Sequence, residues 1–187
     1  MTPNRVSLTA ALAALALCGC ATPEAGHGMN KDHPMGMMAG PTAVATLTPT
    51  QGNTVRGWVM FHEMDGHLMV HARLSGLKPG ADQGFHIHEV GSCASADGTS
   101  AGGHFNPGSQ PHGPQTAAHH AGDLPALKVD ANGSVDQKFM IDGPTIAEGP
   151  ASVVGRSVIV HAQADDYATQ PTGNSGARVA CGVIAAH

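Results

Sequence analysis

The chain has 187 residues, with 9 Lys or Arg and 14 Asp or Glu, and a formal net charge of −5. This length predicts one domain with appendages, and the charge balance argues against nucleic-acid binding. The 25 glycines and 13 prolines predict many turns and few long helices, and 13 histidines are many for a chain of this length.

Residues 1–20 have the pattern of a signal peptide. Arg5 supplies a positive charge, and residues 8–17 form an apolar run that is too short to cross a bilayer, which needs about 20 residues. The run ends in LCGC, which resembles a bacterial lipobox with lipid attached to Cys20. The alternative is an ordinary secretory signal cleaved after Ala21 or Ala25. Both interpretations place the mature domain in the periplasm or cell envelope, in contact with membrane only through a possible lipid anchor.

Residues 21–41 are predicted to be a flexible linker, because they are rich in Gly, Pro, Met and His and lack apolar periodicity. A tether between an anchor and the domain accounts for this composition. Thioether and imidazole groups also suit reduced copper, so the sharper alternative is a copper-collecting tail. Its ligands would be His27, Met29, His33, Met35, Met37 and Met38.

Residues 42–187 are predicted to form one all-β domain. Alternating runs rich in β-branched residues indicate eight short strands, at residues 42–47, 54–62, 67–74, 84–90, 127–129, 135–141, 157–163 and 178–184. Turns containing Asp65-Gly66 and residues 130–133 predict two hairpins. The pattern favours an eight-stranded Greek-key sandwich or flattened barrel with two long functional loops, at residues 91–125 and 164–177.

Two strands carry histidines in positions where they can share a metal ion. Alternation in residues 85–88 sends Phe85 and Ile87 into the core and projects His86 and His88 together on the other face. Two solvent-exposed histidines are the commoner meaning of such a pair. His161 projects in the same way near the end of a later strand.

Residues 91–125 show no regular pattern, and a loop this long inside a compact domain needs a functional or stabilising reason. Three of its imidazoles and one of its carboxylates make a closed four-coordinate set suited to structural zinc. These groups are His104, His112, His120 and Asp123. Ligation of an ion would then order the loop in place of an apolar core.

Two cysteines remain in the domain after the signal segment, Cys93 and Cys181. In an oxidising compartment they predict one disulfide. Two separate buried thiols are the alternative.

Five segments together resemble the copper/zinc superoxide dismutases of the secreted bacterial type. They follow the family order over roughly residues 42–184, and several such motifs in sequence are highly specific. The segments are residues 84–93 (GFHIHEVGSC), 102–107 (GGHFNP), 120–124 (HAGDL), 155–166 (GRSVIVHAQADD) and 173–184 (GNSGARVACGVI).

The resemblance implies two ions that share one ring. Copper would be held by His86, His88, His104 and His161, and zinc by His104, His112, His120 and Asp123. Asp165 matches the carboxylate that joins a copper histidine to a zinc histidine, here His86 and His112, and fixes their tautomers. Cys93 and Cys181 match the family disulfide, and Arg178 matches the arginine beside the copper.

The implied activity is dismutation of superoxide to dioxygen and hydrogen peroxide, with copper as the redox ion and zinc as a structural one. In this scheme His104 delivers a proton and Arg178 positions the anion. Residues 164–177 depart from the family pattern, because they contain no Lys or Glu to steer superoxide from a distance. A non-catalytic copper-binding or copper-delivery lipoprotein on the same fold is the alternative, and the chain is expected to be a monomer or a homodimer.

Overall fold

The computed structural model describes residues 40–187, so the predicted signal peptide and nearly all of the predicted linker lie outside the described residues. The described part is all-β, as predicted. Its strands are β1 (Thr42–Pro49), β2 (Arg56–Met64), β3 (His67–Ser75), β4 (Asp82–Gln83), β5 (Phe85–His88), β6 (Leu127–Lys128), β7 (Val135–Ile141), β8 (Ser157–His161) and β9 (Arg178–Ala186). A short 3-10 helix, Thr99–Ala101, interrupts the first long loop. Within residues 40–187, no helix has the length and apolar character needed to cross a membrane.

Seven strands form one antiparallel sheet in the order β5-β8-β9-β1-β2-β3-β7, and β4 pairs with β6. Alternation along the long strands produces the core, because every second side chain faces the same interior. Val59 and Phe61 of β2 and Val70 of β3 are fully buried there, and Phe85 and Ile87 of β5 enter the same cluster. The long strands therefore supply the apolar core, and the loops between them carry many of the polar groups.

Of the two predicted hairpins, the first forms as expected. Asp65 and Gly66 both have positive φ, 51° and 82°, as a two-residue turn of type I′ requires. The second turn also forms, but β6 pairs with β4 rather than with β7. Between β6 and β7, the Gln137 side chain forms hydrogen bonds to the backbone in place of strand-to-strand hydrogen bonds. Its Oε1 accepts from Lys128 N at 2.9 Å, and its Nε2 donates to Ala126 O at 3.2 Å.

The free edge of β5 is covered by the first long loop. Isolated bridges join His86 to Asp123 and His88 to His104. Gly122 packs directly against this edge, since a Cβ there would lie 2.2 Å from Ile87 O. The loop thus continues the sheet past β5, which places its ligand-type side chains beside those of the strand.

Candidate metal centre

The first side-chain cluster unites two strands and a loop. His86 and His88 come from β5, His161 ends β8, and His104 comes from the covering loop; all four are buried. One ring nitrogen from each lies within 4.8 Å of the others. The histidines predicted to project from β5 do leave the apolar core, but the loops enclose them, and they are 0% and 1% exposed.

Hydrogen bonds on the far nitrogens fix how these rings face. Nδ1 of His88 donates to Gly102 O at 2.9 Å, and Nδ1 of His161 donates to Gly176 O at 3.1 Å. Their Nε2 atoms are 3.4 Å apart. His86 is reversed, because its Nε2 bonds to Asp165 Oδ2 at 2.6 Å and leaves Nδ1 for the cluster. Each ring therefore presents a lone pair to one common space.

The second cluster is built around one carboxylate oxygen. Asp123 Oδ1 lies 2.8 Å from Nδ1 of His104, 3.0 Å from Nδ1 of His112 and 3.2 Å from Nδ1 of His120. Nδ1 of His120 and Nδ1 of His104 are 3.4 Å apart. Donors about 2.0–2.1 Å from a tetrahedral zinc ion lie roughly 3.3–3.4 Å from one another. The observed separations of 2.8–3.4 Å are at or slightly below that spacing, so small movements would let the four atoms share one ion.

His104 belongs to both clusters. Its Nδ1 lies in the second cluster, while its Nε2 is buried and has no hydrogen-bond partner among the described residues. Its ring centroid is 4.0 Å from that of His86 and 5.4 Å from that of His112. One imidazole can therefore be a ligand on each side.

The donor atoms fit two metal ions. Nδ1 of His86, Nε2 of His104 and Nδ1 of His112 are all buried without a hydrogen-bond partner in the described part of the chain. Buried polar atoms in this state cost stability, and metal ligation satisfies them. Nδ1 of His112 is 3.0 Å from Asp123 Oδ1 yet forms no hydrogen bond with it, as expected when both atoms point at a shared position. The second set is suited to zinc, and the all-imidazole set suits copper.

Burial favours the neutral form of the His86, His88 and His161 rings. Burial, reinforced by neighbouring imidazoles, holds the pKa of His86 and of His88 well below the usual range. Burial likewise lowers the pKa of His161 to about 4. Burial alone would raise the pKa of Asp123, but the hydrogen bond from His104 and the neighbouring imidazoles lower it instead. Neutral imidazoles and a charged carboxylate are the forms that bind metal at neutral pH.

Asp165 links the two clusters from behind. Its carboxylate is fully buried and bonds to Nε2 of His86 at 2.6 Å and to Nε2 of His112 at 2.9 Å. Oδ1 also accepts from Tyr167 N at 2.7 Å. The structure places Asp165 between the two rings named for it in the sequence.

Two further residues hold this arrangement and were not identified from the sequence. Gln170 brackets the backbone of His112: its Oε1 accepts from His112 N and its Nε2 donates to His112 O, both at 2.8 Å. Gly173 packs over the Asp165–His112 bond, where a Cβ would lie 1.9 Å from Asp165 Oδ1. Its φ of +64° also favours glycine. The GNSG sequence was a signal for Gly173, whereas no local pattern marks Gln170.

Arg178 lies at the rim of the first cluster, paired in register with His161. Its Nη1 donates to Gly98 O at 2.7 Å and its Nη2 to Gly102 O at 2.6 Å. Gly102 O also accepts from His88, so one carbonyl joins the guanidinium to a ring of the cluster. Arg178 also lines an open cavity of about 450 Å³ together with Thr50, Asp97 and Thr99.

The predicted disulfide joins Cys93 to Cys181, whose Cα atoms are 5.8 Å apart. It ties the start of the first long loop to β9, three residues after Arg178. The alternative of two free thiols is therefore wrong.

Comparison with known proteins decides the family. Residues 55–184 match the family model for copper/zinc superoxide dismutase (SODC). The chain belongs to the copper/zinc superoxide dismutase family.

Its relatives include the superoxide dismutase-like protein YojM of Bacillus subtilis (strain 168), 43% identical over 144 residues, which are 74% of this chain and 73% of YojM. A crystal structure of a SOD-like protein from Bacillus subtilis, a double mutant with a tyrosine and a proline replaced by histidine, is 44% identical with a TM-score of 0.69. It covers 74% of this chain and 94% of that one. The structure of the clock protein EA4 is 36% identical with a TM-score of 0.70, covering 81% and 98% of the two chains.

Proposed function

We propose that the chain, loaded with copper and zinc, catalyses the dismutation of superoxide to dioxygen and hydrogen peroxide. The observation that carries the proposal is the His104 ring, with one nitrogen in each of two ligand clusters. Family membership supports it. A binding or delivery protein has no evident need for an imidazole shared between a copper-type and a zinc-type set.

When bound by His86, His88, His104 and His161, copper would supply the redox chemistry, taking an electron from one superoxide and returning it to another. The chain's own contribution is to hold the donors and to manage protons. The reaction consumes two protons for each pair of superoxide ions. Nε2 of His104 is a suitable proton carrier, because it faces the first cluster while Nδ1 stays engaged in the second.

Arg178 supplies a fixed positive charge at the entrance. Its guanidinium is held by two carbonyls and is half-buried, so it is oriented before any anion arrives. A small anion entering from the adjacent cavity meets this charge close to His88 and His161. The Arg178 charge also contributes to the lowered pKa of both histidines, after burial and the neighbouring His104.

The relatives bear on the choice between catalysis and metal binding alone. The Bacillus subtilis protein is described as SOD-like, and histidine replaces a tyrosine and a proline in its double mutant. The present chain has histidine at all six predicted ligand positions in its natural sequence. The complete set supports catalysis over the alternative of a non-catalytic copper-binding lipoprotein.

The decisive experiment is metal analysis and a dismutase assay on one purified sample. We expect one copper and one zinc per chain and catalytic removal of superoxide. Arg178→Gln should keep both metals but lower the rate constant by about tenfold or more, in the range of electrostatic guidance. Arg73→Gln is the matched control, because Arg73 is an exposed arginine on β3 that pairs with Asp136. A fully metallated wild-type chain without activity would refute the proposal and favour the binding alternative.

We also propose that the domain acts outside the cytoplasm, in the periplasm or cell envelope, after removal of a signal segment that ends just before Cys20, or at Ala21 or Ala25. The disulfide supports this compartment. Mass spectrometry of the mature N-terminus would test it: lipid on Cys20 indicates an anchored protein, and a free N-terminus at residue 22 or 26 indicates ordinary secretion.

A further inference from the structure

The outer face of the sheet formed by β2, β3 and β7 is rich in thioether and imidazole groups. Because Val59 and Phe61 of β2 and Val70 of β3 face the core, alternation sends the intervening residues to the opposite face. That face carries Met60, His62, Met64, His67, Met69, His71 and Met140. Four of the nine methionines in the chain lie there, which is more than a polar outer face normally holds.

His62 is the central residue of this face. It is 1% exposed although it points away from the core, and its Nδ1 is buried without a hydrogen-bond partner among the described residues. The backbone entering β1 covers it, because a Cβ on Gly40 would lie 3.3 Å from Cε1 of His62. A buried imidazole nitrogen with no partner is rare, and a bound ion is one of the few groups that can satisfy it.

Three methionines surround His62 in the sheet. Met69 is its register partner on β3, and Met60 and Met64 are two residues away on the same strand and face. Register partners have Cβ atoms about 4.5–5.5 Å apart, and residues two apart on a strand are about 6.5–7 Å apart. The flexible methionine side chain can span these distances, so three sulfurs and one imidazole can meet at one point.

The burial of these methionines gives the site both a dry interior and an entrance. Met69 is 8% exposed, Met60 is half-buried, and Met64 is 39% exposed. An ion could enter on the Met64 side and be held against His62 and Met69. Thioethers are soft ligands, and imidazole is a borderline ligand that also binds copper, so the three sulfurs make the set select reduced copper over zinc and over the hard cations.

We propose that His62, Met60, Met64 and Met69 form a second copper site, specific for Cu(I). It uses no residue of the His104-bridged centre, so it does not depend on the proposed dismutase function. The Met/His-rich segment that includes Met35, Met37 and Met38 ends two residues before Gly40 in the sequence. Gly40, which packs against His62, follows that segment in the chain, and the sheet site would serve as a store of reduced copper.

The test is an anaerobic titration of the full mature chain with Cu(I), in competition with a chromophoric Cu(I) chelator. The main centre of the protein is loaded with copper and zinc beforehand. We expect one additional Cu(I) per chain, with copper–sulfur scattering in X-ray absorption. This signature separates the extra ion from the main copper, because the ligands predicted for the main copper are all nitrogen. The combined variant Met60→Leu, Met64→Leu, Met69→Leu should weaken the extra binding at least tenfold and abolish the sulfur signal, while dismutase activity stays unchanged.

Methionine and leucine have similar volumes, so the triple variant should fold, and thermal unfolding checks this. Met64→Leu alone, at a partly exposed position, is a milder variant that should weaken binding in the same direction. The matched control is Met140→Leu, on the same face but on β7, two strands from His62, where no change is expected. The proposal is wrong if wild-type chain takes up no extra Cu(I), or if the triple variant binds it as tightly. It is also wrong if only Met35→Leu, Met37→Leu, Met38→Leu abolishes binding, since the ion would then lie on the tail.

Discussion

Replacing Asp165 with asparagine should weaken copper binding more than zinc binding. Asp165 accepts one hydrogen bond through Oδ2, from His86, and two through Oδ1, from His112 and Tyr167. An amide has one accepting atom and one donating group. The asparagine oxygen should occupy the Oδ1 position, where it faces two donors, and its NH₂ group should then face Nε2–H of His86.

The magnitude follows from the lost bond. A hydrogen bond to a charged group contributes about 1.5–3 kcal/mol. If the energy that held His86 in the tautomer with Nδ1 free is lost, copper affinity falls roughly 10- to 150-fold. Zinc affinity should fall about threefold or less, because His112 keeps an acceptor. This range agrees with the 10–100-fold effects typical of residues that orient metal ligands.

The assay is competition with chelators for each metal in Asp165→Asn, with Asp166→Asn as the matched control. Asp166 is adjacent and exposed, and its carboxylate bonds to Ala168 and Thr169 rather than to a histidine. The control should have wild-type affinity for both ions. It shows whether removing one negative charge near the site is by itself enough to weaken metal binding. A larger loss of zinc than of copper, or unchanged copper affinity, would refute the reasoning.

Three further predictions concern stability and the loop. Metal-free protein should lose stability as pH falls from about 6.5 to about 4, because the unfolded chain binds a proton at His161 that the folded chain excludes. The loss should be about 3 kcal/mol for His161 alone. Urea unfolding across this range checks it, and the unfolding free energy should not change with pH above about pH 7. Cys93→Ser with Cys181→Ser should cost about 4–5 kcal/mol of unfolding free energy in the chain-entropy model, and a loss below about 1 kcal/mol in denaturant titrations would contradict it. Asp123→Ala should lower zinc content and expose residues 91–125 to protease, and equal zinc content with equal resistance would oppose the assignment.

The sequence predicted the long strands well, because their alternation is a local signal. Residues 135–141 were predicted with the bounds of β7, and β3 differs by one residue. The pair β4–β6 was not predicted, since two-residue strands are too short to show a period. The choice of β4 over β7 as partner of β6 depends on the Gln137 side chain, a contact that no local pattern specifies.

The ligand-type residues were predictable because the motifs name them, and the structure brings both sets together. Their roles in chemistry stay predictions. Which nitrogen of each ring faces the cluster was not predictable, since it is set by Gly102, Gly176 and Asp165, far away in the chain. The burial of His86 and His88 was missed for the same reason: strand alternation gives the face of a side chain but not the loop that covers it.

The first long loop and the metal donors depend on each other through the Gly102 carbonyl. That oxygen accepts from His88, a ring of the first cluster, and from Arg178 on β9. The loop bearing Gly102 is fastened at one end by Cys93–Cys181 and further along by the Asp123 cluster. The disulfide and the Asp123 cluster thus help to position the carbonyl that orients the guanidinium and fixes the tautomer of His88. We therefore expect the second cluster to influence the first through the backbone as well as through the shared His104 ring.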